Sequence, residues 1–428
     1  MTLNLKIRND IDRFLVYFSF LEMLILRWIL IGQNTIIFIY CTVILIRLSL
    51  LTKSKQKTLY GNILLLLITF IYIILNTELS DKSTGGMLCS NMIYLIEPLT
   101  ATFYFGYLLN NRLDLLEEIF LKLRLVLNAY YMINFIIILL QRGKTYFLMP
   151  VSRIENAYYP DHMAGLLGID GTHRLALVTV FIILLNYYYM KNSALDNYKK
   201  IINICYLLII VVTALYSSSL NDNNMVYVLI PAFLLLFYMI DYRNTRGNLF
   251  KLIVVGVIGI VLLYLLFNTS LFPAFSNIRI YAIVKDFFGM FNQTGTGDER
   301  MLYVLLALTK YKGFFGGSGF GVIQMRQDPA IIALGYDYRN WGMSDIAPFI
   351  AMGGLAYYIW MLMLNARIFV TNHRYKKLKK YILIIMLILT YYHQVLTHPT
   401  MTIPMCWIIA LFYMVIARSQ SQISSASH

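Results

Sequence analysis

Twelve apolar runs constrain this chain more than any other feature. Each is close to the roughly 20 residues an α-helix needs to cross a hydrocarbon core. They fall at about 14–31, 34–51, 61–77, 87–109, 123–141, 173–190, 201–218, 225–241, 251–269, 346–369, 381–397 and 403–417. Lipid offers a backbone N–H or C=O no partner, so runs of this length must satisfy their hydrogen bonds internally. The expected fold is all-α: a polytopic membrane protein of about 12 transmembrane helices. Residues 1–418 form one integral membrane domain, and 419–428 a Ser-rich cytoplasmic tail expected to be disordered. The first run follows a charged start without a small-residue cleavage pattern, which reads as an uncleaved anchor.

Charge separates the two sides. Of 428 residues, 59% are hydrophobic and only 13% charged, against roughly 25% charged in soluble domains. The formal net charge of +15 would suggest nucleic acid in a soluble chain. Here the cations sit in short connections, with no basic face of interleaved aromatics, so no nucleic-acid partner is expected. If the N-terminus is cytoplasmic, the inner connections carry Lys53, Lys55 and Lys57, then Arg112, Lys122 and Arg124, then Lys191, Lys199 and Lys200. Further on they carry Arg243, Arg246 and Lys251, and finally Arg374, Lys376, Lys377, Lys379 and Lys380. The outer turns near Gln33, Asn221 and Pro399 carry neither Lys nor Arg, and the one near Ser80 only Lys82. By the positive-inside rule both termini are cytoplasmic. Two long loops, about 142–172 and 270–345, then lie on the extracytoplasmic face and are expected to hold short or re-entrant helices.

The second loop carries most of the polar chemistry. It holds Arg279, Lys285, Asp298, Glu299, Arg300, Arg326, Arg339 and Asp345, with a glycine run, Gly313-Phe-Phe-Gly-Gly-Ser-Gly-Phe-Gly321. Arg300 opens a helical pattern that reaches Lys310. A planar guanidinium near a helix start in a partly dry cavity suits a phosphate or pyrophosphate; on composition alone a solvated ion pair with a nearby Asp or Glu is the plainer reading. Arg174, in Gly171-Thr-His-Arg174, is a second outer Arg at a helix start; a headgroup anchor is its plainer reading.

The glycine run has three readings. A phosphate cradle needs a preceding strand, and none is evident. A serine-protease motif, Gly316-Gly-Ser-Gly319 with His393 or His398 as base, needs Ser318 on a span. The favoured reading is a tight turn that lets backbones approach closely. Asp345, at the mouth of the tenth run, suits proton abstraction or helix capping. Within the spans, Glu22, Arg27, Arg47, Glu97 and Asp241 are ionisable; snorkelling at span ends accounts for most, and Glu97 beside Pro98 for least. His393 and His398 read as packing residues. The segment 112–124 reads as an interfacial helix leading into the fifth span. Cys41, Cys89, Cys205 and Cys406 lack metal or disulfide spacing, so no cofactor and no metal site is expected.

The order of these features resembles the polysaccharide polymerases and ligases of bacterial envelopes, the Wzy-type polymerase and O-antigen ligase group. The similar parts are Arg300-Met-Leu-Tyr-Val-Leu-Leu-Ala-Leu, the glycine turn Gly316 to Gly321, Ser344-Asp345 leading to Gly353-Gly354, and Gly171-Thr-His-Arg174. The resemblance implies metal-independent glycosyl transfer from undecaprenyl diphosphate onto the next lipid-linked oligosaccharide repeat. The site would face outward from the bacterial cytoplasmic (inner) membrane and serve polysaccharide biosynthesis: the O-antigen of lipopolysaccharide, capsule or exopolysaccharide. It implies membrane lipids and a chain-length regulator protein as partners. Carried over, Arg300 by direct match to the later motif and Arg174 by position, the two would stabilise the departing diphosphate, and Asp345 would take the acceptor proton, with Glu299, Asp161 and His162 as substitutes. Arg279, Arg339, Glu299 and His173 would bind substrate, and Tyr338, Trp341, Tyr159, Tyr158 and Tyr336 would stack on sugars.

The chain also departs from the group. Ligases have a His-Asn pair where this chain has Ser344-Asp345, which favours polymerase over ligase. Many members carry Ser-Arg after the seventh span, where Ser217-Ser-Ser-Leu-Asn-Asp-Asn-Asn224 has no Arg. A lipid-linked oligosaccharide flippase would keep its polar residues at mid-depth, whereas here they sit in outer loops.

Overall fold

A computed structural model of the chain describes residues 2–26, 33–51, 53–77, 85–143, 163–168, 171–193, 196–221, 225–241, 299–320, 344–371 and 378–426. The described residues are mostly helical, joined by turns and short irregular segments, and contain no strand. In chain order the α-helices are α1 (Thr2–Leu21), α2 (Gln33–Ser49), α3 (Lys53–Leu75), α4 (Gly85–Asn111), α5 (Leu113–Gly143) and α6 (Thr172–Asn192). After these come α7 (Asn197–Leu220), α8 (Met225–Asp241), α9 (Glu299–Thr309), α10 (Ile346–Phe369), α11 (Leu378–Tyr392) and α12 (Pro399–Ala426). Every apolar run except 251–269, which lies outside the described residues, falls wholly or partly on one of these helices.

Five helical stretches are long and apolar enough to cross a membrane: Leu113–Arg142, Thr172–Asn192, Asn197–Ser218, Ile346–Phe369 and Pro399–Arg418. They divide by burial. The apolar stretch of α12 is 94% buried, against 22% for α7. A helix that is apolar all round can sit inside the bundle; α12 packs against α4, α6 and α8, while α7 turns most of its surface outward. At the centre, Phe20 stacks on Trp407 at 4.0 Å, with Phe120 and Phe181 closing the cluster around them.

Three local expectations change. The interfacial segment and the fifth span are one unbroken helix, α5, of 31 residues, about 46 Å long and so longer than the hydrocarbon core. Helix α12 runs on to Ala426, so 419–426 are helical where disorder was expected; this stretch has no Gly or Pro to stop a helix already started. The eleventh run ends early: α11 stops at Tyr392, and residues 393–398 form a turn into α12.

The polar contacts gather at two poles. At one, α1, α2, α4, α5, α6, α10 and α12 are tied together. Arg47 makes a two-pronged pair with Asp12, 2.8 Å on each prong, in full burial. Glu117 receives Tyr188 at 2.8 Å and pairs with Arg418, and Glu118 pairs with Arg13 and Lys122. Asn110 on α4 bonds the Phe369 carbonyl and the Thr371 N–H just past α10. Arg47 therefore does not snorkel; it neutralises a carboxylate on the neighbouring helix.

Candidate functional site

The other pole collects the starts of α6 and α10 and the turn between α11 and α12. Both long connections land here, since α6 follows the first loop and α10 the second. The return of the first loop is pinned inside the bundle. Gln141 accepts the Gly165 N–H at 2.9 Å, Asn134 accepts the Leu166 N–H at 2.6 Å, and Asn221 donates to the Met163 carbonyl at 3.0 Å. Asn134 lies nine residues before the end of α5, or about 13 Å, so this irregular backbone lies well down the helix. Irregular backbone is tolerated at such depth only where protein groups satisfy it. Gly165, at φ +65°, has no room for a side chain, because a Cβ would fall 2.2 Å from the Asn134 oxygen.

The second irregular segment is the glycine run after α9. Helix α10 breaks at Gly354 (φ 87°, ψ 168°), which frees backbone groups within an apolar stretch. The run fills the break: Ser318 N–H donates to the Ala351 carbonyl at 2.7 Å and Gly319 N–H to Met352 at 2.9 Å. Leu355 N–H in turn donates to the Gly313 carbonyl at 2.9 Å. From α3, Tyr72 reaches the Gly316 and Gly353 carbonyls; just past its end, Asn76 reaches Gly316 and Thr77 accepts the Phe320 N–H. A Cβ on Gly317 would meet the Met352 carbonyl carbon at 2.4 Å, and one on Gly319 the Thr77 Cα at 2.2 Å. The run is thus a turn for close backbone packing, as the favoured reading held. Ser318 is buried and donates its hydroxyl to the Tyr311 carbonyl at 3.2 Å.

At the pole itself, Asp345 occupies the N-cap position of α10 without capping it. Ser344 takes that role, accepting the Ile346 N–H at 3.3 Å while donating to the Thr390 carbonyl. The Asp345 carboxylate instead turns to the α11–α12 turn, accepting the Leu396 N–H and the Thr397 hydroxyl, each at 2.6 Å. It is wholly buried. Burial pushes its carboxyl up to about 7, even though these donors favour the charged form. That turn also carries His393, whose ring meets the His173 ring edge-on at 5.4 Å. His173 is half-buried and Arg174 is buried beside it. Arg174 lies within electrostatic reach of Tyr130 on α5, whose hydroxyl donates to the Leu24 carbonyl in a π-helical turn, Glu22–Leu26. Such turns recur at functional sites.

Of the residues singled out from sequence, the structure gathers His173, Arg174, Ser344, Asp345 and His393 at this pole, and adds Thr390 and Thr397. Arg300 and Glu299 open α9, which packs on α10; their side chains lie outside the described residues, as do Arg279, Arg339, Tyr338, Trp341, Tyr159, Asp161 and His162. Arg27 and the Asp241 side chain also lie outside them. Glu97 is half-buried, with the Cys41 thiol directed at its carbonyl at 3.7 Å. Among the described residues no cluster of His, Cys, Asp or Glu could hold a metal ion. No protein-family model, curated protein or solved structure matches the chain.

Proposed function

We propose that this chain is a polysaccharide polymerase of the bacterial cytoplasmic membrane, crossing it twelve times with both termini inside. It would transfer a growing glycan from undecaprenyl diphosphate to the next undecaprenyl-diphosphate-linked repeat at the outer face. The observation that supports the reading is the gathering of His173, Arg174, Asp345 and His393 at the pole where both long loops land.

In this reading a hydroxyl of the incoming repeat attacks the anomeric carbon of the growing glycan. A new C–O bond forms, the bond to diphosphate breaks, and undecaprenyl diphosphate leaves with the electron pair. Arg174, with Arg300 at the start of α9, meets the charge developing on the departing diphosphate. Asp345 takes a different part from the one expected, because both its oxygens are engaged inside the protein; it holds the α11–α12 turn, and with it His393, in place. His173 is the least enclosed of the four and takes the acceptor's proton. Sugar stacking falls to Tyr159, Tyr338 and Trp341.

The test is to supply the purified, reconstituted protein with labelled lipid-linked repeats and separate the products. A ladder of lengths on the same lipid supports a polymerase, transfer to a second lipid supports a ligase, and unchanged substrate rejects both. Arg300→Ala should abolish the ladder; an intact ladder in that variant would remove Arg300 from the mechanism.

A further inference from the structure

Among the described residues Phe315 is the most exposed large apolar side chain, at 94%, and Phe314 beside it is 65% exposed. The two form the tip of the turn after α9, while Gly313 before them and Ser318 to Phe320 after them are buried. The backbone of the tip is closed by protein groups: every N–H from Phe315 to Phe320 donates to a protein oxygen. Phe315, Gly316 and Gly317 converge on the Lys312 carbonyl at 2.8, 3.1 and 3.0 Å. Lys312 is held at φ 56° to allow this, a rare conformation for a residue with a side chain. A surface turn in water needs no such closure, because solvent pairs with whatever is left open. In hydrocarbon an unmet group is costly, and irregular backbone persists only where protein satisfies it.

Two helices give the depth of the tip. Leu355, which donates to Gly313, lies 14 residues from Phe369, where α10 ends at the ion-paired pole. That is about 21 Å along the helix, and tilt only shortens it, so the turn falls within the roughly 30 Å of a hydrocarbon core. Tyr72, which reaches Gly316, lies 15 residues beyond Lys57 in α3, or about 22 Å. Exposed apolar stripes lead up to the same place: Leu355, Ile359 and Met363 on α10, and Ile68, Ile71 and Leu75 on α3, each at helical spacing. We propose that Phe314 and Phe315 insert among the phospholipid acyl chains of the leaflet at the loop-bearing pole, making the turn after α9 a re-entrant membrane anchor. Lys310 and Lys312, exposed on the same turn, fit that place, since a lysine stem lies along acyl chains while its ammonium reaches the phosphates. Helix α9, whose first turn carries Arg300, packs on α10 and ends four residues before Gly313, so the anchor fixes α9 as well. Only the crossing of the membrane by α10 is required, whatever reaction the protein performs.

The experiment puts a fluorescent reporter at the tip. Phe315→Trp, at a site open enough to keep the fold, is reconstituted in nanodiscs of phosphatidylcholine with or without bromine on the acyl chains. Its emission is read against wild type, which supplies the background of the four native tryptophans. The emission that the substitution adds should be blue-shifted, should lose most of its intensity to the brominated lipid, and should change little with iodide in the buffer. Phe314→Trp, read the same way, should give the same pattern. Quenching by iodide and not by bromine would place the tip in water and overturn the proposal. Resistance to both would show the tip covered by protein, such as a second copy of this chain, and would overturn it too.

Discussion

The two poles of this bundle use charge in opposite ways. At one, carboxylates and guanidinium groups find each other directly: Asp12 with Arg47, Glu117 with Arg418, Glu118 with Arg13. At the other, Asp345 is held by an N–H and a hydroxyl, two histidines meet edge to face, and irregular backbone is satisfied by glycine turns and side-chain amides. A buried charge answered by its opposite is spent on architecture. At the second pole burial favours the neutral form of the Asp345 carboxyl, which lessens its opposition to the anion proposed to bind beside Arg174.

The contrast can be broken in several ways. The largest effect is expected where backbone meets backbone. Gly319→Ala places a Cβ 2.2 Å from the Thr77 Cα at φ +81° and should cost more than about 3 kcal/mol, seen as loss of folded protein in fluorescence-detected gel filtration. Gly61→Ala, with nothing within 4 Å of the new Cβ inside α3, should stabilise by about 0.5–1 kcal/mol. Equal behaviour of the two would undo the account of the glycine run. Next is the buried pair: Arg47→Met leaves the enclosed Asp12 carboxylate uncompensated and should cost about 3–5 kcal/mol, measured by thermal unfolding in detergent.

Asp345 sharpens the comparison through pH. Its carboxyl titrates near 7 in the folded protein, raised from an ordinary 3.8 by burial. Between those values the folded state holds a proton that the unfolded state has released. The stability it contributes is therefore fully present below about pH 4 and lost as pH climbs through about 7. Asp345→Asn can still accept from Leu396 and donate to Thr397, so it should fold and flatten that part of the melting-temperature profile. An unchanged slope would show that another group sets it. The smallest effect belongs to the exposed pair: Glu118→Gln should leave the melting temperature unchanged within error, because solvent screens both charges.

Much of the helical layout was legible in the sequence, since run length and apolarity are local properties. The helix opening near Arg300 and the packing role of the glycines were legible for the same reason. Contacts between distant residues were not. Nothing near Arg47 in sequence points to Asp12, and nothing near Asp345 points to Leu396 and Thr397, because such pairs depend on which helices become neighbours. The break at Gly354 was hidden too: in sequence Gly353-Gly354 is only a pair of glycines in a span, and it becomes a break when the run from Gly313 to Gly319 arrives to bond the freed backbone. His393 looked like packing until α6 brought His173 against it.

The central claim is that the pole holding Arg174 receives a diphosphate. The most direct test compares wild type with Arg174→Gln in the polymer-ladder assay, with equal amounts of folded protein by gel filtration. The account predicts that the ladder falls by a factor on the order of 100 or more, the usual loss when one group serving a developing anion is removed. A full-length ladder from folded Arg174→Gln protein would contradict it.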